Sequence, residues 1–247
     1  MVSDPVIIVA ILIAFALGGI LKGATGAGAP IVTIPVIAAF YDVRIAVIIM
    51  VIPNLLTNIG QLYQYRKTIL PSFFTISFAL GGGIGAFLGT ILLVSLPIKI
   101  LTLSVACIVI IYILLKLAVP SWKLNYTKAK KLVFLMGAGG GVLQGAAGLS
   151  APISLTFLNS MKLERNQFIP TISVYFGVMS LFQMPALYFY KFLNIETLII
   201  SCLSTIVLML FMPLGSWIAK SISKETFDKL ILILLSFIAL RIIYLNY

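Results

Sequence analysis

Apolar residues gather into runs long enough to cross a bilayer, roughly at 44 to 65, 69 to 93, 98 to 119, 166 to 190, 193 to 219 and 227 to 246. Lipid offers the backbone no hydrogen-bond partner, so runs of this length are predicted helices. Two further regions, 6 to 40 and 132 to 159, are equally apolar but interrupted in the middle by Gly, Ala and Pro. The one long polar stretch, Pro120 to Lys131, divides the chain almost in half. The expected organisation is a first repeat over 1–119, a basic linker over 120–131 and a second repeat over 132–247, all within one membrane domain.

The halves resemble one another. Gly19-Ile-Leu-Lys-Gly23-Ala-Thr-Gly26-Ala-Gly28-Ala-Pro30-Ile31 matches Gly141-Val-Leu-Gln-Gly145-Ala-Ala-Gly148-Leu-Ser150-Ala-Pro152-Ile153 at eight of thirteen positions. Gly85 and Lys99 pair with Gly215 and Lys229 at one offset, and Arg44 with Arg165 at a slightly different one. Such a duplication is common among secondary transporters.

Composition confirms the solvent. With 62% hydrophobic residues, 9% charged and a mean hydropathy of +1.19, the chain leaves almost nothing for a separate aqueous domain. It has no histidine, and Cys107 and Cys202 stand alone in apolar runs, which argues against a metal site or a disulfide framework. Asp4, Asp42, Glu164, Glu196, Glu225 and Asp228 all fall at or beside breaks between runs, so carboxylate chemistry at the bilayer centre is not expected. The opening Met-Val-Ser-Asp-Pro has no basic n-region and does not read as a removable signal peptide.

The net charge of +11 reads as loop lysines that orient the chain, not as a nucleic-acid surface. If each broken region crosses once, the two sides carry nine Lys and Arg against seven. If each goes in and returns as a hairpin, the split is twelve against four. The positive-inside rule favours the hairpins. Each half then makes three full crossings plus a broken or re-entrant hairpin. The halves are thereby inverted, with both termini outside and the central linker cytoplasmic.

Sixteen of the nineteen glycines lie within 18 to 28, 81 to 89 and 137 to 148. Gly81, Gly85 and Gly89 recur every fourth residue, a smooth stripe for a neighbouring helix. The other two clusters lead into Pro30 and Pro152, predicting a helix end, a short irregular stretch and a second helix with Pro in its first turn. Irregular backbone at membrane depth needs protein or a water-lined cavity around it. A helix starting at either Pro turns free N–H groups and its positive dipole end on the break, which suits an anion. The bland reading is a kink that eases packing.

Lys22, before Gly23, is the only basic residue well inside an apolar region, and its counterpart is Gln144. It is either an anion contact or a lysine snorkelling to the interface. Asn54, Asn58 and Gln61 follow the first break, and Thr171, Ser173, Tyr175, Ser180 and Gln183 follow the second. These neutral groups can line a site for an oxyanion or join helices by hydrogen bonds. Thr25 and Ser150 sit inside the breaks. Gly148-Leu149-Ser150-Ala151 faintly suggests a nucleophile elbow, but no histidine or intramembrane carboxylate is present to complete a triad.

The paired Gly/Pro motifs, the basic central linker and the glycine-rich helix over 69 to 93 make the chain resemble the sulfite exporter TauE/SafE family of membrane permeases. The resemblance implies an internally duplicated plasma-membrane transporter for anions, typically sulfite or small organosulfonates, usually moved outward. It implies a substrate site on Lys22, Gly23, Thr25, Gly26, Gly28 and Pro30, and on Gln144, Gly145, Gly148, Ser150 and Pro152. Asn54, Asn58 and Tyr175 are added from the helices that follow. Ser150 departs from the pattern by replacing the glycine matched by Gly28.

The leading expectation is a carrier that binds a small anion between two halves that rock about it. There is no phosphate-binding loop and hence no call for ATP or another cofactor. Coupling to sodium held by backbone carbonyls, or flow down a gradient, are both open readings. A non-transporting scaffold and an anion channel are the competing ones.

Overall fold

The structure, a computed structural model, describes residues 5–118, 123–221 and 224–246. Asp4, residues 119–122 at the start of the basic linker, and the side chains of Glu225 and Asp228 lie outside the described residues. The helices are α1 (Pro5–Thr25), α2 (Ala29–Phe40), α3 (Val43–Tyr65), α4 (Ser72–Ser95), α5 (Ile98–Ala118), α6 (Tyr126–Ala147), α7 (Ala151–Ser160), α8 (Arg165–Phe189), α9 (Ile195–Ser221) and α10 (Lys224–Asn246). A 3-10 turn, Arg66–Thr68, follows α3, and no strand occurs among the described residues. Six helices, α1, α3, α4, α5, α8 and α9, have the length and apolar composition of a membrane span. The chain is an all-α polytopic membrane protein.

The helix α6 begins inside the basic linker. Asn125 accepts a hydrogen bond from the Lys128 N–H at 3.0 Å, and this N-cap starts the helix at Tyr126. Lys128, Lys130 and Lys131 therefore ride on the opening turns of α6, not on a loop.

Both broken regions fold into hairpins. Thr33 Oγ1 donates to the Ala14 carbonyl at 3.1 Å, and Gly18 lies against Thr33 and Ala29, so α2 runs back along α1. Gly139 and Gly140 face Ile153 and Ser154 in the same way, so α7 returns along α6. Each first helix ends at a left-handed glycine. Gly26 (φ 82°) donates to the Lys22 carbonyl at 2.7 Å, and Gly148 (φ 70°) to the Gln144 carbonyl at 2.8 Å. The breaks then differ. Gly28 is also left-handed at φ 88°, whereas Ser150 is right-handed at φ −81°. The serine occurs in the half whose backbone does not require a glycine there.

Two glycine seams hold the bundle. Methyl groups on Gly81, Gly85 or Gly89 of α4 would strike the carbonyls of Phe134, Ala138 and Val142 on α6. Methyl groups on Gly137, Gly141 or Gly145 of α6 would strike those of Phe78, Gly82 and Ala86 on α4. Partner numbers rise together along both helices, so α4 and α6 are parallel and their backbones almost touch. The same arrangement recurs between α1 and α9, where Gly19 and Gly23 meet the Leu208 and Met212 carbonyls and Gly215 meets Ile20.

The central contact is α3 against α8. Asn54 pairs with Ser180, Gln61 with Ser173 and Thr68 with the Asn166 carbonyl. One number falls as the other rises by the same amount, which is the register of an antiparallel pair. On α8, Tyr175 anchors an aromatic cluster, its ring stacked on Phe78 at 4.0 Å between centroids and its hydroxyl donating to the Gly137 carbonyl at 3.0 Å.

Candidate functional site

Lys22 occupies the last turn of α1 and is 1% exposed. Helical side chains lean toward the N-terminus, so its stem leads the amine back along the helix, away from Gly26. There Lys22 Nζ donates to Asn58 Oδ1 of α3 at 2.9 Å. Asn58 Nδ2 donates in turn to Asn54 Oδ1 at 2.9 Å and to the Asn54 carbonyl at 2.6 Å. Asn54 Nδ2 donates to Ser180 Oγ of α8 at 3.2 Å, and that hydroxyl donates to the Phe176 carbonyl at 3.1 Å. Asn54, Asn58 and Gln61 recur at i, i+4 and i+7 and so share one face of α3. The result is a buried polar relay from α1 through α3 to α8 with one positive charge at its end.

Charge at this depth is expensive unless it is paired. No carboxylate among the described residues is hydrogen-bonded to Lys22. Asp42 caps α3, accepting from the Arg44 N–H at 2.7 Å, while Glu164 precedes α8 and Glu196 sits in the first turn of α9. The lysine has a neutral amide where a counter-ion would be expected.

The other expected site residues are placed differently. Gly23 faces the Met212 carbonyl and Gly145 that of Ala86, so both belong to the seams. Gly26 lies against Ile169, Gly28 against Ile31 and Leu21, and Gly148 against Ile34 and Val47. Pro30 and Pro152 stand in the first turns of α2 and α7, as expected. Tyr175 is committed to the aromatic cluster. Thr25 is exposed at the end of α1, where its hydroxyl lies 2.8 Å from the Leu21 carbonyl and 2.5 Å from that of Ala27 within the break. A C-terminal Thr can bond back one turn, and the chain reversal at Gly26 then leaves it on the outer surface. Ser150 stays inside at 2% exposure and accepts a hydrogen bond from Ser154 Oγ at 2.9 Å.

Neither Gly28 nor Ser150 supplies a side-chain cap to the short helix that follows it. The first break is braced from outside. The Gly23 carbonyl accepts from Ser216 Oγ at 3.0 Å and from Arg165 Nη2 at 3.2 Å. Arg44, the counterpart of Arg165, donates to the Leu93 and Leu96 carbonyls at the end of α4, at 3.0 and 2.8 Å. The sequence pairs these arginines between halves without indicating what either holds. Ser216 carried none.

This hairpin-and-seam arrangement around a buried lysine runs through the described residues, and the family match covers nearly the same span. The model of the family described as Sulfite exporter TauE/SafE matches residues 10–242. The chain belongs to that family. TauE/SafE proteins are membrane transporters and not enzymes, which accords with the expectation from the missing catalytic partners of Ser150. No curated protein and no solved structure matches the chain.

In this TauE/SafE chain Ser150 offers a direct probe of movement. In a background without Cys107 and Cys202, Ser150→Cys is expected to react slowly with a small methanethiosulfonate at rest and several-fold faster during turnover. Equal rates under both conditions would mean that the second break never opens to water.

Proposed function

We propose that the chain is a secondary transporter that exports a small sulfur oxyanion, sulfite or an organosulfonate, across the plasma membrane. The observation that carries this reading is Lys22, a buried lysine whose amine meets a neutral amide, and no carboxylate among the described residues, one turn before the break that follows α1. An oxyanion supplies the missing counter-charge and accepts from the lysine ammonium. The uncapped N-termini of α2 and α7 favour negative charge on the same grounds.

In this reading the halves are inverted repeats, each a hairpin plus three crossings. Counterpart helices α3 and α8 run antiparallel, as they must if the pseudo-twofold axis lies in the membrane plane. The twelve-to-four distribution of Lys and Arg supports an orientation with both termini outside and the linker in the cytoplasm.

The test is flux into proteoliposomes of the purified chain, comparing labelled sulfite, a small organosulfonate, sulfate and chloride under imposed sodium, proton and electrical gradients. Saturable movement of sulfite or the sulfonate, and its dependence on one gradient, is the expected result. Folded protein that moves none of the four returns the chain to the scaffold reading.

A further inference from the structure

A single offset of 122 carries Lys22, Asn58 and Gln61 onto Gln144, Ser180 and Gln183. Both sets are buried. The second differs from the first in having no charge and in leaving hydrogen-bonding capacity unmet. Gln183 is 1% exposed and neither Oε1 nor Nε2 has a partner, while Gln144 is 3% exposed and its Oε1 has none. Buried amides in folded proteins are ordinarily paired, so orphan atoms on two side chains point to a guest.

The packing sets the helices that carry the two glutamines side by side. Tyr175 of α8 reaches the Gly137 carbonyl and lies against Gly140 of α6. Both helices run parallel to α4, since Gly82 and Gly83 meet Tyr175 and then Val178 and Phe182. Gln144 lies one turn beyond Gly140, and Gln183 two turns beyond Tyr175. Ser180, one turn before Gln183, already takes the last side-chain link of the relay from Lys22.

We infer that Gln144, Ser180 and Gln183 form a second, uncharged subsite for the transported oxyanion, further along α8 than the subsite at Lys22. The inference rests on the transport reading. Amide N–H groups donate to the anion's oxygens, the amide oxygens accept from a protonated oxyanion such as hydrogensulfite, and Ser180, whose hydroxyl is committed to the Phe176 carbonyl, joins the subsite to the relay. Each subsite draws on one half of the duplicated chain for its first helix, and only one of them is charged. The anion is held firmly at Lys22 and loosely at the glutamines. That difference gives a route for release, since conduction needs binding tight enough to admit the ion and weak enough to let it go.

The experiment compares wild type, Q144L, Q183L and the surface control K191Q in two measurements, sulfite flux in proteoliposomes and the rise in melting temperature on adding sodium sulfite against sodium chloride at matched ionic strength. Q144L and Q183L are expected to unfold no more easily than wild type without sulfite, because they remove unpaired groups. Each is expected to lose at least tenfold in flux and most of the sulfite-induced shift. Flux and shift within twofold of wild type in both variants would overturn the subsite. If wild type moves no sulfite, the transport reading fails by itself; the subsite then stands on the melting shift, and a shift equal in all four proteins removes it. If either variant elutes as aggregate, Q144M and Q183M, closer in shape to glutamine, replace it.

Discussion

Replacing Lys22 with glutamine is expected to cut anion flux by one to two orders of magnitude without unfolding the protein. The lysine supplies a charged donor, and a hydrogen bond to a charged group is worth about 1.5–3 kcal/mol. At about 1.4 kcal/mol per decade this is roughly 10- to 150-fold in affinity. The fold responds in the opposite sense. Lys22 is 1% exposed and its amine rests on Asn58 Oδ1, so without an anion the empty protein carries a desolvated charge. Lys22→Gln relieves that cost while keeping a hydrogen-bond donor near Asn58. The expected pair of results is lower flux with an unchanged or higher melting temperature in detergent. Lys191, on the turn between α8 and α9, is exposed, and Lys191→Gln should alter neither quantity. Equal loss of flux in the two variants, or a lower melting temperature in Lys22→Gln, would remove Lys22 from the substrate site.

The second large effect falls on the α4–α6 seam. Gly85→Ala and Gly141→Ala each place a methyl group against backbone, on the Ala138 and Gly82 carbonyls respectively. Backbone cannot rotate aside as a side chain can, so the helices must separate. Overpacking of this kind typically costs about 1–3 kcal/mol, and the gap forfeits contacts along the seam. Gly60 and Gly177 provide the contrast, because a methyl group there meets nothing within 4 Å. Alanine is favoured over glycine in a helix interior by about 1 kcal/mol. Thermal unfolding should therefore order the variants with Gly60→Ala and Gly177→Ala at or above wild type and the seam variants well below. A seam variant as stable as Gly60→Ala would mean that the helices do not approach so closely.

Much of this was legible from the chain because lipid narrows the choices. Helix limits follow from run length, and the breaks before Pro30 and Pro152 occur where glycine and proline are placed. The polar face of α3 follows from the spacing of Asn54, Asn58 and Gln61. A linear motif carries no azimuth, however. Gly23 and Gly145 lie within the same conserved-looking spacing as Lys22 and Gln144, yet their open sides face Met212 and Ala86 across the seams. Thr25, next to the first break, points outward for the same reason. The stripe at Gly81, Gly85 and Gly89 was visible, but its partner was not. The glycine cluster over 137 to 148 reads as part of a break until α4 is laid beside α6. The register of Tyr175 on Gly137 also lies beyond local pattern, because it joins helices from opposite sides of α7.

The seams separate ancestry from mechanics. α6, the first helix after the central linker, is fastened to α4 before it, and α1 is fastened to α9 of the later half of the chain. A rigid body built on either seam is a composite of both halves of the sequence. Strokes that alternate access would shear one composite past the other along α3 and α8, where side chains and not backbones make the contact. The sequence divides at its central linker, and the packing divides along a different line.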